Sequence, residues 1–164
     1  MGNTLALAIK EVVMKNPWYV TGFTDGEGCF NISFNFRTKF KTGIEVRPSF
    51  SITLNKRDLN LLKEINDFFK VGGIRFSKKD QCYKYEVRNI KDLMKVIIPH
   101  YEKYQLQSAK ENDFAKFSKI CELIYNNKHK SINDLKEIIE MAYEMNPSGK
   151  RKIDKEKLLK QLAR

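Results

Sequence analysis

The hydrophobic pattern of this chain changes period at Cys29, from helical to strict alternation. Phe30, Ile32, Phe34 and Phe36 alternate with Asn31, Ser33, Asn35 and Arg37. After a turn at 39–43, Val46, Phe50, Ile52 and Leu54 alternate with Arg47, Ser49, Ser51 and Thr53. Period two over runs this long predicts two half-buried antiparallel strands. One face is apolar and the other carries Asn, Ser, Thr and Arg, so helices are expected on one side of the sheet only. Pro48 cannot donate to a ladder and places the start of the second strand near an edge.

The helix-then-hairpin order recurs. Asp58 is placed to cap a helix carrying Leu59, Leu62, Ile65, Phe68 and Phe69 on one side, which Gly72-Gly73 ends. A second hairpin sets Ile74 and Phe76 against Arg75 and Ser77, then Tyr83, Tyr85 and Val87 against Lys84, Glu86 and Arg88. Asn89 caps the next helix, which is expected to end at Pro99. Longer helical patterns cover 108–126 and 131–145, and Pro147-Ser148-Gly149 breaks the last of them. The result is an α+β chain of order α-β-β-α-β-β-α with extra helices, built on a four-stranded antiparallel sheet. Residues 1–147 form a single domain, with an N-terminal helix over 5–14. Residues 148–164 form a basic C-terminal tail with a short helix through Ile153, Leu158, Leu159 and Leu162.

Where the charge sits says more than its sum. The formal net charge is +11 over 164 residues. Residues 29–88 carry 13 basic and 6 acidic side chains, whereas 89–147 carry 9 of each. Residues 148–164 carry 7 basic and 2 acidic. The excess is thus confined to the sheet and the tail, which is the footprint of a polyanion-binding face. An evenly soluble, Lys-rich surface would spread it. The three cysteines are odd in number and lack C-x-x-C spacing, which argues against a disulfide framework or zinc site and for a reducing compartment. The apolar run at 5–14 is too short to span a bilayer, so no membrane partner is expected.

The helix that feeds the first strand has its own signature. Asn16-Pro17 reads as an N-cap followed by Pro at the first helical position. The helix is expected to end in a turn at 25–28. Residues 19–28, Tyr-Val-Thr-Gly-Phe-Thr-Asp-Gly-Glu-Gly, set three glycines around two carboxylates. Gly22 strips a side chain from one helix face, so another backbone can approach there. Two acids gathered at such an interface suit a divalent cation. Taken alone, the stretch is also an ordinary Asp/Gly-rich turn, and the remainder of the chain decides between the two.

Val20 to Gly28 resembles the signature of the LAGLIDADG homing endonucleases, with Gly22, Asp25, Glu27 and Gly28 on its most restricted positions. The resemblance extends over roughly 16–145, through Phe50–Leu59, 61–65, 71–74 and 101–106, and in register to Lys110. It implies a site-specific double-strand DNA endonuclease that cleaves a long near-palindromic target as a homodimer by metal-dependent phosphodiester hydrolysis. Glu27 becomes the metal ligand, with the Gly26 carbonyl beside it. Asp25 and Lys110 complete the catalytic set, Asp25 chiefly by holding the helix junction. Mg²⁺ is the implied metal, with Mn²⁺ as a substitute and Ca²⁺ supporting binding without cleavage. The helix surface around Val20, Gly22 and Phe23 is the implied dimer interface. The implied DNA-reading set is Asn31, Ser33, Asn35, Arg37, Lys39, Arg47, Ser49, Ser51, Thr53, Arg75, Ser77, Lys79, Lys84, Glu86 and Arg88. Arg, Lys, Asn and Gln offer paired groups to base edges, while Ser and Thr adapt to either. Double-stranded DNA, and no small molecule, is the expected partner, in an organelle or a microbial cytoplasm. One departure stands out: Leu54 occupies a position where many relatives carry a polar Gln. Two other readings keep the fold: an RNA-splicing maturase or non-catalytic DNA-binding module, and an excised half of a two-motif enzyme.

Overall fold

A computed structural model describes residues 3–7, 16–147 and 149–163. The expected N-terminal helix over 5–14 is helical at 3–7, and its remainder lies outside the described residues. Helix α1 (Pro17–Glu27) is capped as the sequence predicts, with the Asn16 side chain accepting from the Trp18 amide at 3.0 Å. It does not end in a turn. Gly28 is already extended, at φ −78° and ψ 156°, and opens strand β1 (Gly28–Phe36) directly. That tight joint demands glycine, because a Cβ at position 28 would lie 2.4 Å from Thr24 Cγ2.

Strand β2 (Ile44–Asn55) follows, then a 3-10 turn and helix α2 (Leu59–Phe69). The α2 helix stops at Lys70, which takes the left-handed conformation (φ 57°), before the two glycines. Strands β3 (Gly73–Ser77) and β4 (Cys82–Val87) complete an antiparallel sheet of order β1-β2-β4-β3. β2 is therefore central over residues 50–55, whereas its start, where Pro48 sits, pairs with β1 alone and is an edge on its other side, as the proline predicts. The proline is tolerated because β4 pairs only with residues 50–55 of β2, leaving the β4 side of Pro48 without a strand partner.

Helix α3 runs from Ile90 through a π-helical turn at Leu93–Ile97 into Ile98–Lys103, and so continues past Pro99 rather than ending there. Pro99 has no N–H to give, and a wider turn just before it relieves the clash its ring would make in regular α-helix. Helices α4 (Lys110–Tyr125), α5 (Ile132–Glu144) and α6 (Lys155–Leu162) close the layer.

The inward side chains of the sheet build the core with these helices. Phe30 meets Phe50 at 5.2 Å between ring centroids, Tyr101 at 5.3 Å and Phe117 at 5.3 Å. Each such fully buried side chain contributes roughly 1.5–3 kcal/mol. Helix α6 belongs to this body: Leu158 is wholly buried and Leu162 nearly so. Arg151 donates to the Ile32 carbonyl of β1 at 2.9 Å, to the Met145 carbonyl at 3.3 Å and to the Ala142 carbonyl, with its guanidinium over the Tyr143 ring. The basic segment is thus a docked strap rather than a loose tail. Asn146 and Arg151 together satisfy the Phe30 and Ile32 carbonyls along the open edge of β1.

Candidate active site

Helix α1 has two unlike faces. Inward, Val20, Thr21 and Thr24 are buried. Thr24 Oγ1 pairs with the Tyr101 hydroxyl at 2.7 Å. Thr21 Oγ1 donates to the Tyr104 carbonyl at 3.0 Å and lies 3.1 Å from His100 Nε2. Burial pushes the His100 imidazole down to about 4, so it sits neutral in its aromatic surroundings. Outward, Tyr19, Gly22, Phe23 and Gly26 recur at helical spacing, and a Cβ added at Gly22 or Gly26 would meet nothing within 4 Å. Tyr19 and Phe23 stack at 6.3 Å beside that glycine track. Val20, expected at a dimer interface, is instead at 0% exposure inside its own core, one helical step from the open face. Tyr19 and Gly26 lie on that open face instead.

The C-terminal end of α1 gathers charge. The Asp25 carboxylate accepts from Ser108 Oγ at 2.6 Å and from the amides of Gln107 and Ser108 at 2.8 and 3.2 Å. Burial raises its pKa, but these bonds outweigh burial and hold the carboxyl below the usual range. Asp25 thereby pins the chain before α4 to the end of α1. Lys110, at the start of α4, donates to the Thr24 carbonyl at 3.0 Å and to the Gly28 carbonyl. It is a fixed cation at the negative end of the α1 dipole, not a solvated lysine. Glu27 is exposed at the same end, and no side chain among the described residues hydrogen-bonds it.

An exposed carboxylate and helix-end carbonyls form an all-oxygen donor set, which suits a hard divalent cation. The fit is half complete in one chain. Among the described residues no group of three His, Cys, Asp or Glu could hold a metal ion. A second Glu27 brought in by a partner on the open α1 face would supply what is lacking.

The outer face of the sheet begins beside this helix end. The register sets Cys29, Ser51, Glu86 and Gly73 in one row across all strands. Thr53, Lys84 and Arg75 form the next row, then Asn55, Cys82 and Ser77. On the other side lie the pairs Asn31 with Ser49, Ser33 with Arg47, and Asn35 with Glu45. The outward strand positions expected to read DNA lie on this face, with Arg37 and Arg88 one residue beyond the ends of β1 and β4 and Lys39 and Lys79 in the hairpin turns. Not all are available. Ser49 and Ser51 are only 7% and 5% exposed, recessed below their longer neighbours. Glu86 is buried beneath Arg75, Lys84 and Arg88, each with a nitrogen 3.0 Å from its carboxylate. Burial raises its pKa, but Lys84, Arg88 and Arg75 more than reverse that and keep it ionised. These three residues are corrected from direct readers to parts of the floor. Arg37 pairs with Glu45 at 3.4 Å, and the Asn35 amide, turned to satisfy both its atoms, accepts from Arg47 at 3.1 Å. Leu54 lies on the helix side of the sheet against the core. Lys150 and Lys152 line a groove of about 320 Å³ with Asn31, Ser33, Asn35 and Arg47, which extends the basic surface over β1. The charge pattern placed this segment with the polyanion-binding face, but its docking on β1 is a tertiary outcome that local spacing does not encode. Among the described residues no helix is long and apolar enough to cross a membrane.

A family profile described as LAGLIDADG endonuclease matches residues 20–121. The chain is 37% identical over 132 residues to the probable intron-encoded endonuclease 2 of Neurospora crassa, covering 80% of this chain but 29% of that one. It therefore spans less than a third of that curated relative. The solved homing endonuclease I-TnaI superposes with a TM-score of 0.79 at 34% identity, covering 90% of this chain and 96% of that one. I-SmaMI, bound to uncleaved DNA target in the presence of calcium ions, superposes at 0.81 and 32% identity, covering 91% and 49%.

Proposed function

This chain belongs to the LAGLIDADG endonuclease family, and from that premise we propose that it is a metal-dependent, site-specific DNA endonuclease acting as a homodimer. One observation carries the reading. The glycine track of α1 is open, and it ends at an exposed Glu27 beside a polar, basic sheet face. Packing two such helices brings two Glu27 carboxylates and two sheets together about a two-fold axis. The duplex that fits is near-palindromic.

Each residue has a distinct task. Glu27 and the Gly26 carbonyl would hold Mg²⁺ or Mn²⁺, which when bound would supply charge stabilisation at the scissile phosphate and acidify water. Lys110 keeps a positive charge at the helix end, and Asp25 locks that end to the 107–108 backbone. Asn31, Ser33, Asn35, Arg37, Lys39, Arg47, Thr53, Arg75, Ser77, Lys79, Lys84 and Arg88 face the groove. Relatives named intron-encoded and three free thiols support a reducing compartment, organellar or microbial.

The test is a library of near-palindromic duplexes. Double-strand cleavage of some members with Mg²⁺, and binding without cleavage with Ca²⁺, is expected. Binding without cleavage of any member in Mg²⁺ would overturn the catalytic reading. Tight binding to structured intron RNA with weak duplex binding would make the protein a maturase. A second reading has its own support: the chain covers 49% of I-SmaMI, so it also fits one half of a two-motif enzyme. A strictly monomeric mass in solution would favour that half-enzyme.

A further inference from the structure

Glu86 is an acid at the centre of a face whose proposed partner is a polyanion. Its neighbours across the sheet, Ser51 and Gly73, are small. The carboxylate therefore lies low, with its side chain 8% exposed, and three longer cations fold over it. Arg75 Nη2 reaches Oε2 at 3.0 Å, and Lys84 Nζ reaches Oε1 at 3.0 Å. Arg88 grips both oxygens, Nε to Oε2 at 3.0 Å and Nη2 to Oε1 at 3.2 Å. The cations themselves stay 57%, 32% and 46% exposed. Each cation is thus held by the carboxylate and open toward the groove, while Glu86 itself lies in the row nearest the end of α1.

We infer that Glu86 is a specificity-determining positioning residue, which holds Arg75, Lys84 and Arg88 aimed at base edges and keeps them from loose phosphate contacts. The inference rests on the DNA-binding reading above. Phosphates flank a groove, so a long side chain must swing off the sheet to reach one. Here that swing leaves a buried carboxylate short of partners, and phosphate oxygens accept but cannot donate, so they cannot replace the lost bond. A guanine edge asks for no such swing, because the unused donors of a tethered arginine already point into the groove. Glu86 also neutralises one of the three charges, which removes about one counterion from the non-specific term.

The test compares Glu86→Gln with wild type on a target duplex from the cleavage library and on a scrambled duplex, with Ca²⁺ and varied salt. Affinity for the scrambled duplex should rise about tenfold and its salt slope should steepen by about one, while target affinity changes less. The ratio of target to scrambled binding then falls. Glu86→Asp keeps a carboxylate and should restore most of that ratio. Glu137→Gln makes the same charge change on the helix layer, where Glu137 pairs with Lys119, and should leave the ratio alone. A heparin column reads the same release of cations without assuming DNA: Glu86→Gln should elute at higher salt than Glu137→Gln. Unchanged scrambled-duplex binding and salt slope, or an equal effect from Glu137→Gln, overturns the inference. Should wild type show no duplex preference at all, the DNA reading fails, and identical heparin elution of the two variants then sinks the role of Glu86 separately. If Glu86→Gln does not fold, a target-to-scrambled ratio for Arg75→Gln equal to that of wild type overturns it.

Discussion

The two faces of α1 are built from the same eleven residues and answer to different partners. The inner face has Thr21 and Thr24 bonded to α3, and Val20 in the core. The outer face has two glycines with open space above them and a stacked Tyr19–Phe23 pair. The inner face is explained by contacts within the chain, whereas on the outer face Gly22 and Gly26 have open space above them and only Phe23 reaches the core. The open glycine face is where the proposed second copy would pack, and Glu27 at the end of the helix would go with that contact.

The largest expected effect is at the junction of the two faces. Glu27→Gln should lower cleavage by about 10²–10³-fold or more, as loss of a transition-state charge stabiliser does. DNA binding should stay or tighten slightly, because repulsion with phosphate is relieved. Cleavage assays beside gel shifts check this; a matched loss of binding would make Glu27 structural. On the inner face, Thr24→Val strands the Tyr101 hydroxyl, which is 1% exposed. A stability loss of about 1–3 kcal/mol is expected in denaturant melts, with the oligomeric state of the folded protein unchanged. On the outer face the signs reverse. Gly22→Leu should weaken a dimer by about 1–3 kcal/mol through overpacking, while the monomer melts no lower, since its own chain leaves room there. Ultracentrifugation reads the first and thermal melts the second; an unchanged dimer places the interface elsewhere.

A further effect is in pH. His100 is held down from 6.5 to about 4 by burial, so between those values the unfolded chain binds a proton that the folded chain refuses. Stability should therefore rise with pH across that window and be lost as pH falls from about 6.5 toward 4. His100→Gln should shallow the slope without removing it, because burial also lowers His129. Melting curves at several pH values decide, and a slope unaltered by His100→Gln would assign the dependence to other groups.

The sheet was legible because alternation is a local property. A period of two fixes which side chains share a face whatever the strand pairs with. All the strand positions expected outward are outward, and Phe30, Ile32, Phe50 and Ile52 are buried. Pro48 reads as an edge residue and is one, because β4 is too short to reach it. Errors fell where a local rule met a wider context. Pro99 reads as a helix end until the π turn before it absorbs the clash.

Amino-acid order thus determined the element sequence, the two faces of the sheet, the cap at Asn16 and the separation of basic from neutral segments, because each depends on spacing of a few residues. Tertiary structure alone decided what the polar groups do. Asp25 finds Ser108, Lys110 finds Gly28 and Arg151 finds Ile32 across 83, 82 and 119 residues of chain. It buried Glu86 under three cations, turned a basic tail into a strap on β1, and left Gly22 and Gly26 uncovered. Such outcomes depend on side-chain reach and on which backbones the fold brings together, and no local period encodes either.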